Sequence, residues 1–258
     1  MSNKNLRKEY KKNFLTNVIF KLDFQKILEL NEKNPPSEFQ KKIADKFPIT
    51  NELRNKLLEF ETKKETEDVS VKQERTLSWE FMNKEKTKKV IVDSQFLIVE
   101  FLKYTTFEEF FQDIKFILGI FSELYCVKIS KRIGLRYINQ INIPSGDPLD
   151  WNLLINKDLF GLTKNFLSDK DPILRSMHLL EVKQESYTLR FQFGLFNSEY
   201  PNPIARKEFV LDYDCFSVEE KETSDIFSRI EEYHAVIRNL FEKSIMENLI
   251  KIMNGEII

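Results

Sequence analysis

The stretch that decides the fold is residues 132–141, which read Arg-Ile-Gly-Leu-Arg-Tyr-Ile-Asn-Gln-Ile. Successive side chains of an extended chain point to opposite faces. One face of this stretch therefore carries Arg132, Gly134, Arg136 and Ile138, and the other carries Ile133, Leu135, Tyr137 and Asn139. The pattern predicts a β-strand over residues 132–143, which ends at a turn containing Pro and Gly.

Further strands are predicted on both sides of this stretch, where apolar and polar residues alternate. In residues 18–24, Val18, Phe20, Leu22 and Phe24 share one face. The other predicted strands are residues 77–81, 90–92, 96–102, 177–183, 188–196 and 208–214. Short strands at this spacing are typical of an antiparallel sheet.

Helices are predicted where apolar residues recur every three to four positions. The predicted helical segments are residues 38–46, 52–60, 107–125, 151–166 and 219–253. Thr106 is the expected N-cap of the third segment. Residues 61–75 are almost all charged or polar, and we expect them to form a flexible loop.

This order of elements predicts one globular domain, residues 1–258, built from two similar halves, residues 14–125 and 130–253. Each half is predicted to run β-α-β-β-β-α, which is the order that an internal duplication would give. The predicted fold class is α+β, with an antiparallel sheet backed by two long helices.

Charge and composition exclude several classes of protein. The chain has 258 residues, and its 40 Lys and Arg nearly balance its 41 Asp and Glu, giving a net charge of −1. A nucleic-acid binder held by bulk positive charge is therefore excluded. The 41% of hydrophobic residues can form a core, so a disordered chain is excluded too. The 6 Gly are scattered, which excludes a glycine-rich phosphate loop.

The two cysteines, Cys126 and Cys215, stand far apart and follow no secretory signal. We expect both to be reduced, buried thiols. The apolar runs are shorter than the roughly 20 residues that cross a bilayer. The predicted location is the cytoplasm, without membrane association.

Residues 132–141 resemble the signature of a sporadically distributed, uncharacterised prokaryotic family of about this length. Weaker matches follow the whole chain: residues 18–24, Phe47-Pro48, Trp79 with Phe81, Tyr104 with Phe107 and Phe110, residues 211–214, and His234 with Phe241. The resemblance implies a single full-length domain in bacteria or archaea, with a role in a defence or toxin–antitoxin type system. It implies no known activity, so no catalytic residues carry over. Family members usually have Arg where this chain has Gln140.

Arg132 and Arg136 are candidate anion-binding residues, because they flank Gly134 on one strand face and arginine forks suit phosphates and carboxylates. The glycine would leave a floor for an anion, a ring or another backbone. In the alternative interpretation, which we favour, both arginines pair with carboxylates on neighbouring strands. Gly134 then accommodates a helix side chain or a bulge.

Asp212 and Asp214 share a face across Tyr213, an arrangement that suits acid–base chemistry or a hard cation. An ion network with an arginine-bearing strand is the favoured interpretation.

A zinc site is not predicted, because the chain has 2 histidines, His178 and His234, and a zinc site usually draws on more His or Cys ligands than this. We expect His234 to hydrogen-bond the last helix to the sheet rather than to act as a general base.

The favoured function is that of a non-catalytic interaction protein without a cofactor, which binds a protein partner or a small anionic ligand through the face of Arg132 and Arg136. The alternative is an enzyme or sensor for a phosphorylated small molecule or nucleotide, with Asp212 or Asp214 as acid–base group. A third, disfavoured hypothesis is nucleic-acid binding. It requires the N-terminal arm and the hairpin lysines 84, 86, 88 and 89 to form one positive stripe.

Overall fold

The computed structural model describes residues 10–30, 35–62, 69–161 and 172–256. Within these ranges the chain forms an antiparallel sheet of ten strands and four α-helices, which confirms the α+β class. The strands are β1 (Leu15–Phe24), β2 (Ile49–Thr62), β3 (Val69–Met82), β4 (Lys88–Val92), β5 (Phe96–Phe101), β6 (Ile129–Ile143), β7 (Ser176–Lys183), β8 (Thr188–Leu195), β9 (Lys207–Ser217) and β10 (Lys221–Glu222). The helices are α1 (Ser37–Ile43), α2 (Phe107–Tyr125), α3 (Ile226–Ser244) and α4 (Glu247–Met253).

The chain divides into two compact units, each built from separate segments of the sequence. The unit that we name the α2 unit comprises Val18–Gly134 and Ser217–Arg229. The α3 unit comprises Met1–Asn17, Leu135–Phe216 and Ile230–Ile258. The boundaries of the units therefore differ from those of the predicted halves, because β1, β6 and α3 each contribute residues to both units and the α2 unit includes Ser217–Arg229.

The strand arrangements of the two units are similar, but the meander of the α2 unit has four strands and that of the α3 unit has three, so the first half departs from the predicted β-α-β-β-β-α order. In the α2 unit, β2 to β5 form an antiparallel meander, and its last strand pairs with β1. In the α3 unit, β7 to β9 form a meander, and its last strand lies beside β6. The main helix that follows each meander has 19 residues. A duplication would give this correspondence, and the duplication itself stays a prediction.

Aromatic side chains join α2 to the strands of its unit. The helix starts after Thr106, whose side chain accepts a hydrogen bond from the Glu109 amide, as the capping pattern predicts. Phe110 packs against Phe101 of β5, with ring centroids 4.9 Å apart, and Phe121 packs 5.3 Å from Phe24 of β1. The apolar stripe of α2 is thus buried against the sheet.

The core of the α3 unit centres on β9. Leu211, Tyr213 and Cys215 are completely buried, and the Tyr213 hydroxyl donates to Ser244 Oγ at the end of α3, at 2.7 Å. The Phe191 ring of β8 stacks on Tyr213, with centroids 4.5 Å apart.

Burial raises the pKa of the Cys215 thiol to about 12. Cys126, in contrast, is exposed, so its expected burial is wrong.

The predicted helix over residues 52–60 is wrong. These residues belong to β2, which pairs with β3 in one uninterrupted antiparallel register, from Ile49 opposite Met82 to Thr62 opposite Val69. Local helical spacing is a weak prior, and a continuous ladder to a neighbouring strand outweighs it.

The predicted loop over residues 61–75 is wrong at both of its ends. Residues 61–62 end β2 and residues 69–75 begin β3, while residues 63–68 lie outside the described residues. The sequence is polar here, yet backbone pairing between β2 and β3 forms strands regardless of side-chain polarity.

The predicted helix over residues 219–253 is shorter and interrupted. It begins at Ile226, after β10 pairs with the start of β6. It breaks between α3 and α4, where Ile245 forms an isolated bridge with Ile155.

Of the predicted helical stretch over 151–166, the described part contains a 3₁₀ turn over Lys157–Leu159, and residues 162–166 lie outside the described residues.

Candidate functional site

The candidate site is the face of the α3-unit strands that points away from α3, which we name the outer face. Tyr213 of β9 contacts α3, so its neighbours Asp212 and Asp214 point to the outer face. The strand register extends this face across β8 and β7. One row is Asp212, Gln192 and Leu179, and the next is Asp214, Arg190 and Glu181.

Arg136 of β6 and Asp212 of β9 form a bidentate ion pair on the outer face. Arg136 Nε donates to Asp212 Oδ1 at 2.8 Å, and Nη2 donates to Oδ2 at 2.6 Å. The Asp212 side chain is 8% exposed, whereas the Arg136 side chain is 41% exposed. Two parallel charge-assisted bonds are the strongest geometry that this pair of side chains offers. The guanidinium fork is thus directed at a carboxylate of the same protein.

Arg190 forms a second inter-strand ion pair in the adjacent row. Its Nε donates to Glu181 Oε2 of β7 at 3.0 Å, and both side chains are 48% exposed. The buried Asp214 stands directly opposite Arg190 on β9. Positive and negative side chains therefore alternate across the outer face.

Gly134 is covered by the side chain of Arg132. A methyl group added at Gly134 would lie 3.1 Å from Arg132 Nη1 and 3.2 Å from its Cζ. The guanidinium therefore lies over the glycine of its own strand, in the place where the sequence analysis expected a ligand floor, a helix side chain or a bulge. Gly134 allows this close approach because it has no Cβ.

His234 lies on the opposite side of the sheet from Asp212. The Tyr137 hydroxyl and His234 Nδ1 are 2.9 Å apart, which joins β6 to α3. This is the helix-to-sheet hydrogen bond that the sequence predicts for His234. Since Tyr137 and Arg136 point to opposite faces, the predicted residues do not form one cluster: Arg136 pairs with Asp212, and His234 is elsewhere.

Sequence reasoning missed a second charged cluster, which lies in the α2 unit. Asp113 of α2 accepts from Lys46 Nζ at 2.9 Å and from Lys88 Nζ at 2.8 Å, and Lys88 also donates to Glu109 at 2.6 Å. The Asp113 side chain is 7% exposed. The available signal was the i, i+4 spacing of Glu109 and Asp113 beside the apolar stripe of α2.

These side chains line an open cavity of about 520 Å³. Burial lowers the pKa of Lys88, but the hydrogen bonds that Lys88 donates to Asp113 and Glu109 outweigh this effect and raise the pKa overall. The hydrogen bond from Lys88 is the main cause that lowers the pKa of Glu109, and the Thr105 hydroxyl adds to it. The lysines of the cavity are thus held by carboxylates of the same unit.

The hairpin lysines do not all present free charge. Lys88 is bound by the Asp113 cluster, and Lys89 pairs with Glu100 at 2.8 Å. Residues 1–9 of the N-terminal arm lie outside the described residues, so the positive stripe is not described as a whole.

The described residues contain no group of three or more His, Cys, Asp or Glu side chains arranged to hold a metal ion. Among the helices in the same ranges, none combines the length and apolarity needed to cross a bilayer.

Comparison with known proteins adds no relative to this geometry. Neither the scan against protein-family models nor the search of curated proteins gives a match to the chain.

Proposed function

We propose that the chain is a non-catalytic binding protein that contacts a protein partner through the outer face. The observation that carries this proposal is the bidentate Arg136–Asp212 pair. Arg136 is a candidate anion-binding residue in the sequence, but Asp212 balances its charge, so the pair is a neutral part of the sheet surface.

A small anion would compete poorly for Arg136. The Asp212 carboxylate is tethered beside the guanidinium, so its effective concentration is far above that of a free metabolite. Displacing it would also leave a carboxylate that is 8% exposed without its cation, and an unpaired buried charge is costly. This argues against an anion clamp and against the enzyme or sensor for a phosphorylated substrate.

A protein surface can use the outer face without breaking this pair. Arg136 and Arg190 keep 41% and 48% of their side chains exposed, and arginine is enriched at protein interfaces. Guanidinium planes already fixed by carboxylates lose less side-chain entropy on binding. The partner expected is a folded protein with carboxylate and amide groups facing the two arginines.

The test is native mass spectrometry of the chain purified gently from its own host. The variant Gln192→Arg changes an exposed residue in the middle of the outer face, and Gln95→Arg makes the same change at an exposed turn of the α2 unit. We expect a stoichiometric protein partner with the wild type and with Gln95→Arg, and its loss with Gln192→Arg. A small anionic adduct that disappears with Arg136→Gln would overturn the proposal in favour of ligand binding.

A further inference from the structure

Strand β7 has an open edge and exposed leucines on both of its faces. Among the described residues its one partner strand is β8. Leu179 is 63% exposed and Leu180 is 51% exposed. The strand has eight residues and contains neither Pro nor Gly. Soluble proteins usually protect such an edge, because it is a template for another strand.

The hydrogen-bonding pattern shows which residues of β7 offer their backbone groups at this edge. Gln184 N–H donates to the Tyr187 carbonyl at 2.8 Å, immediately beyond the last pair of the β7–β8 ladder. Directly opposite pairs alternate between bonded and non-bonded in an antiparallel ladder. The even-numbered residues therefore bond to β8. The N–H and C=O groups that point to the open edge belong to Met177, Leu179, Glu181 and Lys183.

A second copy of the chain can supply the missing strand by two-fold symmetry. An antiparallel pair related by a two-fold axis across the sheet keeps each face continuous, because a residue meets a residue of the same face. Two registers pair all but one residue of β7: one with the axis at Leu179 and one with the axis at Leu180.

The charges of the strand distinguish these two registers. With the axis at Leu179, Arg175, the residue just before β7, comes opposite Lys183 of the other copy. The two-fold symmetry gives this pair of like charges at two equivalent positions. Like charges directly opposite each other destabilise a strand pair. With the axis at Leu180, no like charges oppose each other in the strand, and Arg175 stands opposite Glu185 instead.

Counted within β7 alone, the register at Leu180 also pairs more of the edge residues, four instead of three. It pairs Met177 with Lys183 and Leu179 with Glu181, which gives about eight main-chain hydrogen bonds over the two symmetric halves. Leu180 meets Leu180 at the axis as a non-hydrogen-bonded pair, the type in which side chains approach most closely. The most exposed apolar residues of β7 would thus be covered.

We propose that two copies of this chain associate through β7, with antiparallel pairing and the two-fold axis at Leu180, so that the α3-unit sheet continues from one copy into the next. This goes beyond binding of a different protein at the outer face, since it assigns a self-association surface to the sheet edge.

Light scattering after size-exclusion chromatography tests the association. At protein concentrations of about 10–100 μM we expect the wild type at twice the chain mass of 30.9 kDa. Leu180→Lys places two ammonium groups against each other at the axis, and we expect it to run as a monomer. Leu179→Lys is the matched control, because its lysine faces Glu181 of the other copy, and we expect it to remain a dimer. A monomeric wild type, or a reversed order of the two variants, overturns the proposal.

Cysteine cross-linking tests the register independently of dimer strength. In a Cys126→Ser background, which removes the exposed thiol, we expect Leu180→Cys to give a covalent dimer under mild oxidation, because its two thiols meet at the axis. Leu179→Cys should give little. Preferential cross-linking of Leu179→Cys would assign the other register and overturn the proposal. Circular dichroism verifies that each variant is folded.

Discussion

The Asp113 cluster of the α2 unit and the Arg136–Asp212 pair of the α3 unit differ in which partner is buried. In the α2 unit both the cation and its carboxylate are shielded: Lys88 is 19% exposed and Asp113 is 7% exposed. In the α3 unit the carboxylate of Asp212 is 8% exposed, but its partner Arg136 is 41% exposed. The first cluster joins α2 to β4 at the wall of an open cavity, and the second lies on the outer face.

This difference predicts which cluster the fold depends on. A charge that loses its partner in a shielded place keeps its desolvation penalty, whereas an exposed charge can turn to water. Removing Asp113, which leaves Lys88 at 19% exposure, should therefore damage the fold more than removing Asp212, which leaves Arg136 at 41% exposure.

The largest effect is expected for Asp113→Ala. The substitution removes the acceptor of two lysines and leaves Lys88 with Glu109 alone, so we expect a loss of about 3 kcal/mol in the free energy of unfolding. Urea denaturation followed by circular dichroism measures it. Asp45→Ala, which removes an exposed carboxylate next to Lys46 in the sequence, is the control and should change stability by less than about 0.5 kcal/mol. Equal effects of the two substitutions would show that the buried cluster does not stabilise the α2 unit.

A smaller effect is expected at the Arg136–Asp212 pair. A double-mutant cycle with Arg136→Gln and Asp212→Asn should give a coupling free energy of about 1–2 kcal/mol, because the bonds are bidentate but one partner is half exposed. Urea denaturation of the two single variants and the double variant provides the values. A coupling near zero would mean that the two side chains separate in solution, and Arg136 would then be free to bind a ligand.

The pH dependence of the α2 cluster should be smaller still. The lowered pKa of Glu109 means that its ionised form stabilises the fold above the ordinary glutamate value, and this contribution is lost as the pH falls through the lowered value. Glu109 is 43% exposed, so we expect at most about 1 kcal/mol. The advantage of the wild type over Glu109→Gln should be full at neutral pH and vanish in acid. The control is Glu108→Gln, at an exposed position one residue away, and a similar acid profile for both variants would contradict the expectation.

The sequence predicts most of this fold because its strands alternate clearly and α2 has a cap and an apolar stripe. It fails at β2, where Leu53, Leu57 and Phe60 have helical spacing but a neighbouring strand decides the structure. It fails at the charged cluster for the same reason: Lys88 and Asp113 are 25 residues apart, and no local pattern joins them. For the site, alternation correctly places Asp212 on one strand face, but only the strand order shows that Arg136 is its partner.

The smallest effect is expected for a substitution at Gly134. It tests whether Arg132 is held as firmly as Arg136, the other arginine of β6. A Cβ at this position would meet only the far end of the Arg132 side chain, at 3.1 Å from Nη1. That guanidinium can shift by a few tenths of an ångström, and alanine also relieves the entropic cost of glycine in a strand. We therefore expect Gly134→Ala to change the free energy of unfolding by no more than about 0.5 kcal/mol. Gly194→Ala is the matched control, since its Cβ would lie 2.0 Å from the backbone oxygen of Ser176 at a positive φ of 138°, and it should destabilise the α3 unit clearly in the same urea experiment. If Gly134→Ala is as harmful as Gly194→Ala, Arg132 is fixed in place and is a rigid part of β6, as Arg136 is through Asp212.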